Sequence, residues 1–246
     1  MNIEFNSSSY SALLEKAASH GFSVEPMREA VKSDKNPIML LRHDIDFCLE
    51  YAVQMAELEN ELGISSTYFA IPENEFYDPF SEDGKRQVKR LQELGHEIGL
   101  HYDTSKYNSE EYEKDFTKDM QKLSDLIGEE VSSAAQHNPT NSLHLNIEQL
   151  VPNEAYSEKI RSQFAYVSDS SMQWREKTPL DLIEEGKSFQ FLSHPIWWFA
   201  AGQTQAEKIQ SIPNAAPEKC TKAIDNLNIA LEKRTELDTK FKKEHS

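Results

Sequence analysis

The apolar run Pro37-Ile38-Met39-Leu40-Leu41 breaks off into Arg42-His43-Asp44-Ile45-Asp46, and no other feature restricts the fold as much. A continuous apolar stretch of strand length reads as a strand buried on both faces, the kind found in parallel sheets covered by helices. Two carboxylates and a histidine at its end cannot all be core. Asp44 and Asp46 are two apart, so on a regular strand they share a face. α/β barrels assemble metal-assisted acid–base sites from such faces at strand C-termini, so the chain reads as an enzyme.

Further apolar strand-length runs follow, separated by stretches with helical spacing. Strands are expected near 38–43, 66–71, 97–101, 132–136, 164–168 and 189–193. Helices are expected over 8–20, about 25–32, 47–62, 84–94, 109–127, 154–163 and 180–185, and from about 205 onward. Gly63, Gly95 and Gly128 close three of them. Strand–helix alternation with few hairpin signals implies a parallel sheet with right-handed crossovers. The expectation is an α/β fold, an incomplete or distorted (β/α) barrel of six to seven parallel strands. With no internal repeat or linker, residues 1–246 read as one domain, with an N-terminal helical cap (about 1–35) and a polar helical C-terminal tail (about 205–246).

The 26 Lys and Arg against 42 Asp and Glu give a net charge of −16. No basic stripe is available to neutralise phosphates, so nucleic acid is not an expected partner, and anionic membrane surfaces are disfavoured too. The two cysteines, Cys48 and Cys220, lack metal-type spacing and read as free thiols. The N-terminal residues show no signal-peptide pattern and no window approaches a membrane span, so a cytoplasmic location is expected.

The strand ends carry most of the functional information. Asp44 and Asp46, His101 and Asp103, His137, Asp169, and His194 all fall at or just beyond a strand's C-terminal end. Each histidine alone could be a hydrogen-bonded structural residue. In a parallel barrel, however, these ends lie on one rim, and chemically capable residues at so many of them point to a site. His96 precedes its strand and reads as structural; His20, His144 and His245 have no supporting context.

From about Ile38 to Trp198, these motifs in their order resemble the polysaccharide deacetylase superfamily (NodB homology, carbohydrate esterase family 4), in a divergent branch. His43-Asp44-Ile45-Asp46 looks like the family's first motif, which implies Asp44 as catalytic base and Asp46 as a metal ligand. Gly95-His96-Glu97-Ile98-Gly99-Leu100-His101 is close to the lead of the second motif, placing His101 as a metal histidine. The family carries another metal histidine four residues later, where this chain has Ser105. His137, in His137-Asn138-Pro139, is the substitute of choice, with Asp103 the runner-up. The arginine of the third motif is absent. Ser168-Asp169-Ser170-Ser171 with Trp174 resembles the fourth motif, and Phe191-Leu192-Ser193-His194 the fifth, which implies His194 as general acid oriented by Asp169.

The resemblance thus implies a barrel of the glycoside hydrolase/deacetylase type and a hydrolase that removes an N-acetyl or other acyl group from a sugar-containing substrate. Its cofactor would be a divalent metal, zinc in the first instance, on Asp46, His101 and His137. Arg42, Trp174 and Trp197 are the candidate substrate contacts, with packing or charge neutralisation as their alternative roles. A carbohydrate or sugar nucleotide is the expected partner. The competing expectation is a degenerate barrel that binds a glycan or nucleotide sugar without turnover.

Overall fold

A computed structural model describes residues 3–139 and 145–244, so His144 and His245 lie outside the described residues. The order is α1 (Ser7–Ser19), β1 (Ser23–Glu25), α2 (Met27–Ala30), β2 (Ile38–Ile45), α3 (Leu49–Glu61), β3 (Thr67–Ala70), α4 (Glu82–Glu93), β4 (Glu97–Tyr102), α5 (Tyr112–Ile127) and β5 (Ser133–Gln136). There follow β6 (Asn153–Glu154), α6 (Glu158–Arg161), β7 (Ala165–Ser168), α7 (Pro179–Glu185), β8 (Phe189–Ser193), α8 (Pro195–Phe199), α9 (Gln205–Gln210) and α10 (Pro217–Glu244). Among the described residues no helix is long and apolar enough to cross a membrane.

All strand pairs are parallel, in the order β6-β5-β4-β3-β2-β8-β7. The short β1 pairs with the first residues of β2, on the edge that β3 takes further along. The sheet curls until its ends approach each other. Gln190 of β8 donates to the carbonyl of Ala155 just after β6 (3.3 Å), and the rings of Tyr156 and Tyr166 lie 6.1 Å apart across the seam. β6 and β7 do not pair, so the result is a curled, incomplete (β/α) barrel.

β2 shows how the sequence builds this. All its residues are buried, and alternate ones serve different cores. Leu40 joins Phe69, Ala135, Ala155 and Phe164 inside the curl. Met39, Leu41 and Ile45 join the larger core between the sheet and its outer helices. Fully burying such side chains contributes roughly 1.5–3 kcal/mol each. At the bottom of the curl Glu97 accepts from Thr67, Ser133, Ser132 and the backbone N–H of Arg28, so this carboxylate ties β3, β5 and α2 together. Gly99 is required because a Cβ there would stand 2.4 Å from the Phe69 ring.

The six expected strands are present and parallel. The differences lie in the short elements. The N-terminal cap is not wholly helical, since β1 extends the sheet. The helix expected over 154–163 shrinks to Glu158–Arg161, because Asn153–Glu154 pairs with β5 as an edge strand. Pro195–Phe199, directly after the last strand, forms an unanticipated helix, with proline at its first position.

Candidate active site

The rim holds three potential metal-ligand atoms in close array. His101 Nε2 lies 3.2 Å from Asp46 Oδ1, His137 Nδ1 lies 3.4 Å from the same oxygen, and the two ring nitrogens are 3.3 Å apart. They come from the ends of β2, β4 and β5, adjacent positions in the sheet order apart from β3 between the first two. A tetrahedral site with metal–ligand bonds of about 2.0–2.1 Å has ligand–ligand edges of about 3.3–3.4 Å. The triangle therefore matches one face of a zinc-sized tetrahedron.

Hydrogen bonding supports that fit. His101 Nδ1 lies 2.9 Å from the Ala135 carbonyl, which can only accept, so Nδ1 carries the proton and Nε2 turns a bare lone pair to the centre. Asp46 Oδ1 is buried and faces both ring nitrogens, at 3.2 and 3.4 Å. Burial pushes the Asp46 carboxyl up, but His137, His101 and His194 reverse this and hold it well below the usual range. Burial likewise depresses the His137 ring, and Asp46 lifts it above its ordinary value. An anionic oxygen facing two imidazole nitrogens suits a divalent cation.

Asp44 and His194 flank this centre. Asp44 Oδ2 lies 3.5 Å from His101 Nε2 and accepts from Arg42 Nη2 at 3.1 Å. Arg42 is wholly buried; the same nitrogen donates to the Tyr156 hydroxyl at 2.8 Å. Its guanidinium sits between the rings of Phe69 and Tyr156, 5.5 and 4.9 Å from their centroids. Burial alone would favour neutral Arg42, and Asp44 outweighs that.

His194 turns Nε2 inward, 3.7 Å from Asp46 Oδ2, while its Nδ1 lies 2.6 Å from Asp169 Oδ1. Asp169 is fully buried and also accepts from the His194 backbone N–H (3.0 Å) and Trp198 Nε1 (2.7 Å). These contacts fix the ring and its proton on Nδ1. Burial pushes the His194 imidazole down, but Asp169 and Asp46 raise it to about 9.

The structure thus brings together Asp44, Asp46, His101, His137, His194 and Asp169. It does not bring the proposed substrate contacts to solvent in the same way. Arg42 lies under Asp44, and Trp197 is 2 % exposed against Phe47 and His194. Trp174 stacks on Phe5 at 5.4 Å and packs near Phe191 and Trp198. Asp103, the runner-up ligand, instead caps the Thr104–Lys106 turn, accepting from Ser105 N and Oγ at 3.0 and 2.7 Å. Ser105 therefore serves that turn.

A further polar group lies directly behind the site. His43, beside Asp44 but on the opposite face of β2, has Nε2 2.8 Å from Glu59 Oε1. Glu59 is fully buried and accepts from the hydroxyls of Tyr10, Ser66 (2.7 Å) and Tyr68 (3.0 Å). Burial pushes its carboxyl up; His43, His96 and Tyr10 bring it down to about 2. His96 accepts from Ser66 N at Nδ1 and faces the Ala56 carbonyl with Nε2, the structural role expected of it. Sequence reasoning missed Glu59 and Tyr156. The signal for Glu59 was its spacing from Met55 and Ala56, which puts a carboxylate on the buried stripe of α3.

No protein-family model matches the sequence, and no curated protein matches it. Solved structures do. The Streptococcus pyogenes deacetylase PplD, in complex with acetate, is 12% identical, covering 76% of this chain and 89% of that one at a TM-score of 0.50. BA3943, a CE4 family pseudoenzyme from Bacillus anthracis, is 14% identical at a TM-score of 0.46, over 82% of this chain and 62% of its own. This chain thus spans less than two thirds of that pseudoenzyme's length. The Bc1960 peptidoglycan N-acetylglucosamine deacetylase is 18% identical at a TM-score of 0.46, over 87% of this chain and 89% of its own. The chain thus shares with PplD the fold of a parallel, curled and incomplete (β/α) barrel.

Proposed function

We propose that this protein is a metal-dependent hydrolase that removes an N-acetyl or other acyl group from a sugar-containing substrate. The observation that carries this reading is the triangle of Asp46, His101 and His137, with edges of 3.2, 3.4 and 3.3 Å, set between a carboxylate and a histidine. Binding a sugar would not require a base and an acid on opposite sides of a metal-sized triangle. The acyl-sugar substrate follows from the motif resemblance and from the shared fold with PplD, itself a deacetylase.

Asp46, His101 and His137 would hold a divalent metal, zinc by donor set, which supplies Lewis acidity to polarise the acyl carbonyl and acidify the attacking water. Asp44 takes the proton of that water, and Arg42 fixes the carboxylate's orientation through the 3.1 Å contact. His194, whose imidazole Asp169 holds above its ordinary value, delivers a proton from Nε2 to the departing nitrogen or oxygen. Asp169 holds Nδ1, leaving Nε2 to face the reacting atoms. Each proton transfer of this kind contributes about 10²–10⁴-fold.

The test is metal content of the purified protein together with acetate release from a panel of N-acetylated sugars and sugar nucleotides. Stoichiometric zinc and acetate release that Asp44→Asn abolishes are expected. Sugar binding with neither metal nor turnover would replace this reading with glycan binding alone.

A further inference from the structure

We infer that Glu59, His43 and Ser193 form a buried positioning chain that sets the catalytic acid against the catalytic base from behind the sheet. The inference rests on the hydrolase reading above. His43 immediately precedes Asp44, and Ser193 immediately precedes His194. The two are register partners on the last rung of the β2–β8 pairing, where β8 releases its chain end into the site while β2 runs on, paired with β3, to Ile45. Across that rung His43 Nδ1 lies 2.8 Å from Ser193 Oγ, and on its other side the ring meets Glu59 at 2.8 Å.

The far end of the chain is itself anchored. Glu59 is held by hydroxyls from α1, from the residue before β3, and from β3 itself: Tyr10, Ser66 and Tyr68. The His43 ring lies 4.5 Å from that of Tyr68, which restrains its tilt. A rotation of the β2 end relative to β8 would therefore break directional contacts, whereas apolar packing alone would let the strands slide.

The surroundings argue that stability is not the whole role. The same face of β2 carries Met39, Leu41 and Ile45, and α3 presents Met55 and Ala56 beside Glu59. In such a setting an apolar pair of similar volume is often as stable as a buried ion pair, or more so. A polar chain at this one rung supplies direction, and misplacing catalytic groups by about 1 Å can cost about 10²-fold in rate. The members are positioning residues: none faces the substrate, and all three are wholly buried.

Ser193→Ala tests this with the smallest change, since it removes one hydroxyl and leaves Glu59 paired with His43. The expected result is a folded protein with unchanged metal content and KM, a melting temperature lowered by a few degrees because His43 Nδ1 loses its partner, and kcat reduced about 10-fold. The hydrogen-bonded Nδ1 proton of His194, observed by NMR, should also shift, because its ring moves with the strand end. Ser193→Thr, which keeps the hydroxyl, should restore both readouts. An unshifted His194 proton signal in folded Ser193→Ala overturns the positioning chain, whatever the rate. If wild-type protein hydrolyses no acylated sugar, the hydrolase reading fails, while the His194 signal still decides whether the chain positions that ring.

Discussion

Replacing His137 with alanine isolates the one ligand that comes from β5. In the metal-free protein the change removes the imidazole that lies 3.4 Å from Asp46 and offsets the burial of its carboxyl, so a modest loss of stability is expected in chelator as well. With zinc the outcome should differ sharply. The three ligand atoms already lie at the spacing of a tetrahedral face, so binding demands little rearrangement and stabilises the folded chain by mass action. At zinc about 100-fold above its dissociation constant, that stabilisation is about 2.7 kcal/mol. For a chain of this size, about 2–4 °C per kcal/mol converts it to a rise of roughly 5–10 °C in melting temperature. His137→Ala leaves Asp46 and His101 as the remaining pair and should lose most of that rise. Differential scanning calorimetry of both proteins in zinc and in chelator measures it directly. An equal zinc-induced rise in wild type and variant would remove His137 from the site. No rise in wild type would refute the metal centre itself.

Two further predictions follow from the buried charges. Glu59 has a folded value of about 2 against an ordinary 4.5, a depressed carboxyl whose contribution is present above the unfolded value and lost as pH falls through the folded one. Glu59→Gln should therefore cost roughly 3 kcal/mol at pH 7 by urea unfolding, with the gap to wild type closing between about pH 4.5 and 2; a pH-independent gap would contradict the ionised buried carboxylate. His194 is raised from 6.5 to about 9, so in the metal-free protein its contribution is complete below pH 6.5 and lost as pH rises through 9. Asp169→Asn should reduce that alkaline loss of stability and lower the alkaline limb of kcat, and an unchanged profile would detach Asp169 from the acid.

The residues legible from sequence were those whose role depends only on position along a strand. Parallel strands running in one direction must put their C-terminal ends on one rim, so Asp44, Asp46, His101, His137, Asp169 and His194 could be grouped before any contact was known. Roles that depend on how far a side chain reaches, or on how the sheet curls, were not legible. For Arg42 the sequence leaves substrate contact and charge neutralisation both open; the side chain shares the inward face with Asp44, pairs with it and packs against Phe69 and Tyr156. For Trp197 the sequence leaves sugar contact and packing both open; Pro195 starts a helix there, and that helix turns the rings of Trp197 and Trp198 into the core. Glu59 drew no reading from the sequence. Only the coincidence of its helical stripe with an imidazole on the outer face of β2 identifies it as buried.

The departure at position 105 then has a structural account. The turn after β4 is closed by Asp103 on Ser105, so this segment is committed to its own local hydrogen bonds. On the metal reading proposed above, the third donor comes from another strand, and His137, directly after β5 and beside β4, stands at the required spacing. Drawing the ligands from three strands instead of two changes what the metal does for the fold: it would clamp the ends of β2, β4 and β5, including the strand next to the open edge at β6. Metal loss should accordingly loosen that edge of the barrel, while β8 and the His194–Asp169 pair, held by Trp198 and by the backbone of His194, keep their places.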